Sequence, residues 1–96
     1  MTVRLTGRLI CASAADLEHV RALLPRHVEL TRAEPGCVSF EVTPTQDPMV
    51  WRVDEEFTDP EAFAAHQTRV AESPWGRGTA HLERQYTIEG LEPPRG

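Results

Sequence analysis

Four stretches of the chain alternate between apolar and polar residues, which is the pattern of β-strands that bury one face. They span residues 3–11, 37–42, 49–57 and 80–89. In the third stretch, Glu55 shares its face with Trp51 and Phe57, so we expect a carboxylate inside an apolar layer. Gly7, at the centre of the first stretch, indicates a bulge or the close approach of another group.

The second stretch follows a Pro-Gly turn and is predicted to bury one of its two faces. The face assigned to the core consists of Val38, Phe40 and Val42. Cys37 then falls on the opposite face, away from Phe40.

Two helices are predicted from capping residues and from apolar positions at helical spacing. The first begins at Ser13, with Asp16 three residues later, and continues to about residue 32. Its apolar stripe consists of Leu17, Val20, Leu24 and Val28. Pro25 removes one backbone hydrogen bond, so we expect a kink there, the alternative being two short helices.

The second helix begins at Thr58 or Asp59, because either side chain can accept a hydrogen bond from a free N–H group of the first turn. Steps of three and four residues give it one inward stripe, formed by Phe63, His66 and Val70. We therefore expect His66 to meet Glu55 of the third strand beneath this helix.

The order of these elements, βαββαβ, predicts an α+β ferredoxin-like fold with an antiparallel four-stranded sheet. We assign residues 1–90 to this domain and residues 91–96 to a C-terminal tail. A turn-rich segment over residues 73–78 carries Trp75. In this fold the third strand separates the first two, so Cys11 and Cys37 would lie about 10 Å apart and remain free thiols.

Composition narrows the classes of function. The formal net charge of −5 argues against nucleic acid and against an anionic membrane surface as the main partner. No run of residues is long and apolar enough for a membrane span or a signal peptide, so we expect a cytoplasmic protein. The sequence contains no lysine, which excludes Schiff-base chemistry. Its cysteines and histidines lack metal-ligand spacing, so no metal site is expected.

The centre of the chain resembles the antibiotic biosynthesis monooxygenase (ABM) family. The matching positions are Glu34 to Cys37, Ser39 to Glu41, Asp47, Pro48, Glu55, Phe57, Asp59, Ala62, Phe63 and Ala65 to Gln67. The resemblance implies a dimeric α+β barrel, in which the sheets of a homodimer pack face to face, with one pocket per subunit between the sheet and its helices. Cys37 would then line the barrel.

Relatives in this family include oxygenases of anthrones and quinols that need no metal or flavin. The resemblance therefore implies a monooxygenase without a cofactor, whose partners are a quinol-like or polyphenolic aromatic substrate and O2. The family's inward acid matches Glu55 and its helix histidine matches His66; these would be the catalytic pair, with His66 as the base. The predicted substrate pocket is lined by Phe40, Trp51, Phe57 and Trp75. The sequence has no asparagine, so the asparagine-dependent site of the characterised anthrone oxygenases is not expected here.

Other interpretations stay open. His66 and Glu55 could form an ordinary buried pair that holds the helix on the sheet, and the chain would then be a non-catalytic dimer that binds a small metabolite. The same His66 base could also isomerise a small carbonyl compound without oxygen. Trp75 could close the core rather than gate a pocket, while Arg84 and Tyr86 are candidates for polar groups at the pocket edge.

Overall fold

The structure, a computed structural model, describes residues 1–91. Its elements are β1 (Val3–Ile10), α1 (Ala14–Arg32), β2 (Cys37–Pro44), β3 (Val50–Phe57), α2 (Pro60–Glu72), α3 (Pro74–Thr79) and β4 (Glu83–Glu89). The predicted order βαββαβ is confirmed, with one additional short helix, α3, before the last strand. Residues 92–96 of the predicted tail lie outside the described residues.

The four strands form one antiparallel sheet in the order β2-β3-β1-β4, so β3 separates β1 from β2 as predicted. This is the ferredoxin-like α+β fold. Leu5 and Leu9 of β1 lie opposite Glu55 and Trp51 of β3, which puts these side chains on one face. The helices cover that face with Val20, Phe63 and Trp75. The hydrophobic core therefore lies between the sheet and the helices.

Gly7 confirms the predicted close approach to β1. Its φ is +152°, and a Cβ atom there would lie 2.1 Å from the carbonyl oxygen of Gln85 on β4. A glycine is needed here because only a residue without a side chain lets the backbone of β4 pass this close.

α1 is one helix that continues across Pro25. Ser13 caps it by accepting a hydrogen bond from the N–H of Asp16 at 3.2 Å. Its buried residues are Asp16, Val20, His27 and Thr31, so the predicted stripe is confirmed only at Val20, and Leu17, Leu24 and Val28 are half-buried. Polar side chains at His27 and Thr31 are therefore directed into the molecule.

A shift of register at the start of β2 changes which residues face the core. Cys37 lies opposite Phe57 and Phe40 lies opposite Glu55, so both point to the helix side of the sheet. Val38 is the extra residue of this bulge and is 53 % exposed. The predictions that Cys37 faces away from Phe40, toward a dimer barrel, and that Val38 is a core residue are wrong.

α2 begins as the sequence indicated. Asp59 is its cap and accepts a hydrogen bond from the N–H of Ala62 at 2.8 Å, while Pro60 occupies the first turn, where its missing N–H has no cost. Phe63 and His66 are buried. The prediction that His66 is directed inward is confirmed.

The turn-rich segment that carries Trp75 forms helix α3 rather than a loop. Ser73 caps this helix by accepting a hydrogen bond from the N–H of Gly76 at 3.0 Å, and Pro74 is tolerated in the first turn. Trp75 is buried in the core, and β4 begins at Glu83 instead of residue 80.

Both cysteines are free, as predicted; Cys11 is buried and Cys37 is half-buried. Burial raises the pKa of both thiols, which keeps them in the weakly nucleophilic protonated form. None of the helices within residues 1–91 has the length and hydrophobicity that crossing a bilayer requires.

Candidate active site

α2 carries His66 on its buried face, where aromatic rings enclose the imidazole. Only 2 % of His66 is exposed. Its ring centroid lies 4.7 Å from that of Phe57 on β3 and 5.9 Å from that of Phe40 on β2. Two of the four predicted pocket walls thus flank the predicted base.

The carboxylate that accepts a hydrogen bond from His66 belongs to Glu34, in the turn between α1 and β2. Glu34 was not assigned to the site from the sequence. Nδ1 of His66 lies 3.1 Å from both carboxylate oxygens of Glu34. Because a carboxylate only accepts hydrogen bonds, Nδ1 carries the proton of the neutral ring and Nε2 is left free to accept one. Arg69 of α2 donates a hydrogen bond to Glu34 at 2.6 Å and holds the carboxylate in place.

Gly36 explains why this turn lies so close to α2. The N–H of Thr58 donates to the carbonyl oxygen of Gly36 at 2.9 Å, which ties the turn to the start of the helix. A Cβ atom on Gly36 would lie 2.3 Å from the Cβ of Ala62. The missing side chain therefore allows the contact that brings Glu34 to His66.

Glu55 approaches His66 as expected, but it does not hydrogen-bond to it. Oε1 of Glu55 lies 3.8 Å from Nε2 of His66, which is longer than a hydrogen bond. This oxygen is buried and has no partner within the described part of the chain. Burial, followed by the negative charge of Glu34, raises the pKa of Glu55 to about 7.

The pKa values of the two facing groups, His66 and Glu55, shift in opposite directions. Burial lowers the pKa of His66, although the hydrogen bond that His66 donates to Glu34 opposes this shift. The pKa of Glu55 rises toward neutrality at the same time. A free imidazole nitrogen beside a carboxyl group whose pKa lies near neutrality is an arrangement suited to general acid–base chemistry.

Trp51 and Trp75, the two tryptophans predicted to line the substrate pocket, lie in different parts of the molecule. Trp75 stacks on the ring of His27, with centroids 4.7 Å apart and an interplanar angle of 6°. Trp51 packs in the hydrophobic core opposite Leu9, and its Nε1 has no hydrogen-bond partner among residues 1–91. Trp75 is connected to the site through His27, whereas Trp51 supports the core.

His27 is the second site residue that was missed from the sequence. It is 5 % exposed, meets the ring of Phe40 edge-on at 5.2 Å and lies 6.1 Å from the ring of His66. Burial, and then the charge of His66, lowers the pKa of His27 to about 3, so its imidazole is neutral near pH 7. Its Nδ1 has no hydrogen-bond partner in the residues that the structure describes. The available sequence signal is the four-residue spacing to Thr31, which places two polar residues on one helix face.

Arg84 and Tyr86 lie on the helix side of β4. Arg84 donates to the carbonyl oxygen of Thr79 at 2.7 Å and to its hydroxyl at 2.9 Å, so it fastens α3 to the sheet. Tyr86 is half-buried against the core, and burial raises the pKa of its phenol to about 12. It therefore keeps its proton over the whole physiological range.

Two clefts flank the site and have Arg69 in common. The smaller holds about 140 Å³ between α1 and the junction of α2 and α3, and it includes His27 and Trp75. The larger holds about 400 Å³ beside the turn that carries Glu34. Arg69 lies between them, because its guanidinium bridges Glu34 and the hydroxyl of Thr31, the latter at 2.9 Å.

A third cleft, of about 580 Å³, lies on the outer face of the sheet and includes Arg8 and Arg52. These two arginines are directly opposite each other on β1 and β3. Within residues 1–91, no group of three or more His, Cys, Asp or Glu side chains is arranged to hold a metal ion.

Comparisons with known proteins bear on both the family and the fold. The family model described as antibiotic biosynthesis monooxygenase matches residues 9–71. No curated protein matches the sequence. Among solved structures, Rv0793 from Mycobacterium tuberculosis is similar with a TM-score of 0.72 and 21% identity, over 100% of this chain and 98% of that one.

Two further structures share the fold. SnoaB, a cofactor-independent oxygenase from Streptomyces nogalater, has a TM-score of 0.71 and 19% identity, over 97% of this chain and 95% of its own. MupZ from Pseudomonas fluorescens has a TM-score of 0.76 and 20% identity, over 93% of this chain and 67% of its own. Since the family model covers more than half of the sequence and agrees with the predicted motif residues, the chain belongs to the antibiotic biosynthesis monooxygenase family.

Proposed function

We propose that the chain is a cofactor-independent monooxygenase of a quinol-like or polyphenolic aromatic substrate, with His66 as the base and O2 as the co-substrate. Membership of the family supports monooxygenase chemistry. The similar fold of SnoaB, a cofactor-independent oxygenase, supports a reaction without a cofactor. The reacting groups would meet beside His66, between α2 and the sheet.

The observation that carries this proposal is the hydrogen bond between Nδ1 of His66 and Glu34. It leaves Nε2 as a free acceptor, and it would stabilise the imidazolium that forms when Nε2 takes a proton. Glu34 is thus a positioning residue for the base, the role that had been expected of Glu55.

The chemistry needs no group beyond the substrate, O2 and these side chains. Nε2 of His66 removes a phenolic or carbon-bound proton of the substrate, and the resulting phenolate or carbanion passes an electron to O2. Recombination of the two radicals forms a carbon–oxygen bond and a peroxide anion, which takes the proton back from the His66 imidazolium and becomes a hydroperoxide. Loss of water then leaves a carbonyl group, so one oxygen atom enters the product. Glu55, whose pKa is about 7, is placed to supply a proton to the departing oxygen.

The aromatic side chains would hold the substrate ring and keep water away. Phe40 and Phe57 flank His66 directly, and Trp75 extends this wall through His27. In a space without water the charge of the Glu34 carboxylate acts more strongly on the imidazolium than it would in solvent. The substrate anion would therefore form next to His66, which stays close to it after taking the proton.

The outer face of the sheet supports a homodimer. Arg8 and Arg52 lie opposite each other there, and like charges in that position are unfavourable unless a counter-charge approaches. Asp54 of the same chain pairs with Arg52 at 2.8 Å, whereas Arg8 has no ion-pair partner within residues 1–91. Glu56 projects from the same face and would supply the counter-charge for Arg8 from a second copy. The two free thiols suit the reducing cytoplasm, where we place the protein.

The test is oxygen uptake by metal-stripped protein with a panel of hydroquinones and anthrones. His66→Ala should abolish uptake and keep the native circular dichroism spectrum. His19→Ala, which changes an exposed histidine of α1, should leave uptake unchanged. Full activity of His66→Ala would overturn the proposal.

One observation favours a second function, a non-catalytic dimer that binds a small metabolite. His66 is almost completely enclosed, and the protein's own rings flank it, as they would around a purely structural pair. A third function is isomerisation of a small carbonyl compound by the same base. Binding of a compound without turnover would favour the second function, and turnover without oxygen uptake would favour the third.

A further inference from the structure

The cleft between α1 and the junction of α2 and α3 has the volume of one aromatic ring. It holds about 140 Å³. An engineered protein cavity of about 150 Å³ binds benzene. A three-ring anthrone exceeds this volume, so the cleft can hold a one-ring aromatic compound but not an anthrone.

The lining of this cleft is mostly apolar, as a ring requires. Its apolar part is formed by Ala22, Leu23, Leu30, Pro74 and Trp75. Aliphatic groups and an indole both make favourable contacts with an aromatic ring. Because these residues come from two different helices, the cleft encloses a ligand from both sides.

His27 supplies a polar group inside this apolar lining. It lines the cleft and is 95 % buried; its Nδ1 is enclosed by the protein, so Nε2 is the nitrogen through which a ligand in the cleft would meet the imidazole. A neutral imidazole offers one nitrogen that accepts a hydrogen bond and one that donates. A hydroxyl group on the ligand can donate a hydrogen bond to Nε2 or accept one from it, because a hydroxyl is both a donor and an acceptor.

Arg69 links the cleft to the base. Its side chain lines the cleft and donates a hydrogen bond to Glu34, which in turn accepts one from His66. An oxygen atom of a ligand near Arg69 would compete with Glu34 for the guanidinium. Occupation of the cleft is therefore coupled to the carboxylate that orients His66.

We propose that this cleft binds a single aromatic ring that carries a hydroxyl group, with His27 as its hydrogen-bond partner. The inference goes beyond the function proposed above: the cleft is lined by His27 and Arg69 and not by His66, so it is a separate binding site for a one-ring phenol or hydroquinone beside the base. Polycyclic anthrones are too large for this site. His27 is a specificity-determining residue, and Arg69 transmits the presence of the ring to Glu34.

The binding test uses phenol as the probe, since it carries one ring and one hydroxyl and does not consume oxygen by itself. Titration calorimetry should give binding of phenol about tenfold tighter than that of benzene, and no binding of anthrone. In a nuclear magnetic resonance titration, phenol should shift the indole N–H signal of Trp75 and leave that of Trp51, in the core, unchanged.

Two variants, with one matched control, locate the site. Ala22→Phe fills the cleft from an exposed helix position and should weaken phenol binding at least tenfold, whereas Ala15→Phe, also exposed on α1, should not. His27→Phe keeps a ring in place but removes the hydrogen-bonding nitrogens. Phenol and benzene should bind this variant equally.

Failure of this inference is distinguishable from failure of the proposed function. Unchanged phenol binding by Ala22→Phe, a shift at Trp51 instead of Trp75, or anthrone binding as tight as phenol would overturn the cleft assignment. Oxygen uptake that needs His66 could still stand in each case. Conversely, phenol binding in the cleft together with no oxygen uptake on any compound would uphold the site and remove the oxygenase.

Discussion

Nδ1 of His66 lies 3.1 Å from both carboxylate oxygens of Glu34. The opposite nitrogen, Nε2, faces Glu55 at 3.8 Å without a hydrogen bond. The two carboxyl groups are therefore suited to different tasks. Glu34, held by Arg69, orients the ring and balances its charge, while the raised pKa of Glu55 lets it hold a proton near pH 7.

Glu34→Gln should lower kcat of the proposed reaction by about 10- to 100-fold, because loss of such a supporting carboxylate weakens the base it orients. Glu34 raises the pKa of His66, so this pKa should fall further in the variant. The acid limb of the pH–rate profile should then move to lower pH. Glu61→Gln, at an exposed position of α2, is the matched control. A pH profile identical to that of the wild type would contradict the role of Glu34.

Glu55→Gln should stabilise the protein at alkaline pH. The pKa of Glu55 is about 7 in the native state and has an ordinary value of 4.5. As pH rises from 4.5 through 7, the unfolded chain loses this proton first, so the native state loses about 3 kcal/mol of stability. Glutamine cannot ionise, and the difference in unfolding free energy between variant and wild type should grow by that amount.

Urea unfolding at pH 4 and pH 8 measures this effect. Glu56→Gln, on the outer face of the same strand, is the control. A constant difference between Glu55→Gln and the wild type over this range would mean that Glu55 ionises as freely in the native state as in the unfolded chain.

His27→Phe should make the protein more resistant to acid. The pKa of His27 is about 3 in the native state, below its ordinary value of 6.5. As pH falls from 6.5 through 3, the unfolded chain takes up this proton first, and the native state loses on the order of 5 kcal/mol. Phenylalanine can keep the stacking on Trp75 without this loss. Acid unfolding followed by circular dichroism should show a lower midpoint pH for His27→Phe than for the wild type. His19→Phe, at an exposed position, should have the midpoint of the wild type. Equal midpoints for all three proteins would contradict the buried neutral state of His27.

The element order and the order of strands in the sheet could be predicted because their signals are local. Alternation identified the strands, and the Asp59-Pro60 pair identified the start of α2. The phase of α2 followed from this start, so the inward direction of His66 was also predictable. Pro74 and Gly76 suggested a loop instead of α3, although proline suits the first turn of a helix that Ser73 caps.

The residues that were misplaced depend on contacts between distant parts of the chain. One extra residue in β2 moved Cys37 to the core side, since a strand changes face with every residue. In α1, Thr31 and His27 are buried because Arg69 and Trp75 give them partners that the helix sequence does not reveal. A prediction from the sequence alone therefore favoured the apolar stripe of α1, because the sequence does not show these contacts.

The contact between Gly36 and Ala62 gives a direct test of how Glu34 is positioned. In Gly36→Ala the new Cβ atom would lie 2.3 Å from the Cβ of Ala62, so the turn must move away from α2. Because small displacements of positioning groups cost up to about 100-fold in rate, we expect kcat to fall at least tenfold. Ala62→Gly in the same chain removes the opposing Cβ and should restore most of the activity, at a stability cost of about 1 kcal/mol for glycine in a helix. A double variant no more active than Gly36→Ala would mean that the position of Glu34 depends on Arg69 rather than on the close packing of this turn.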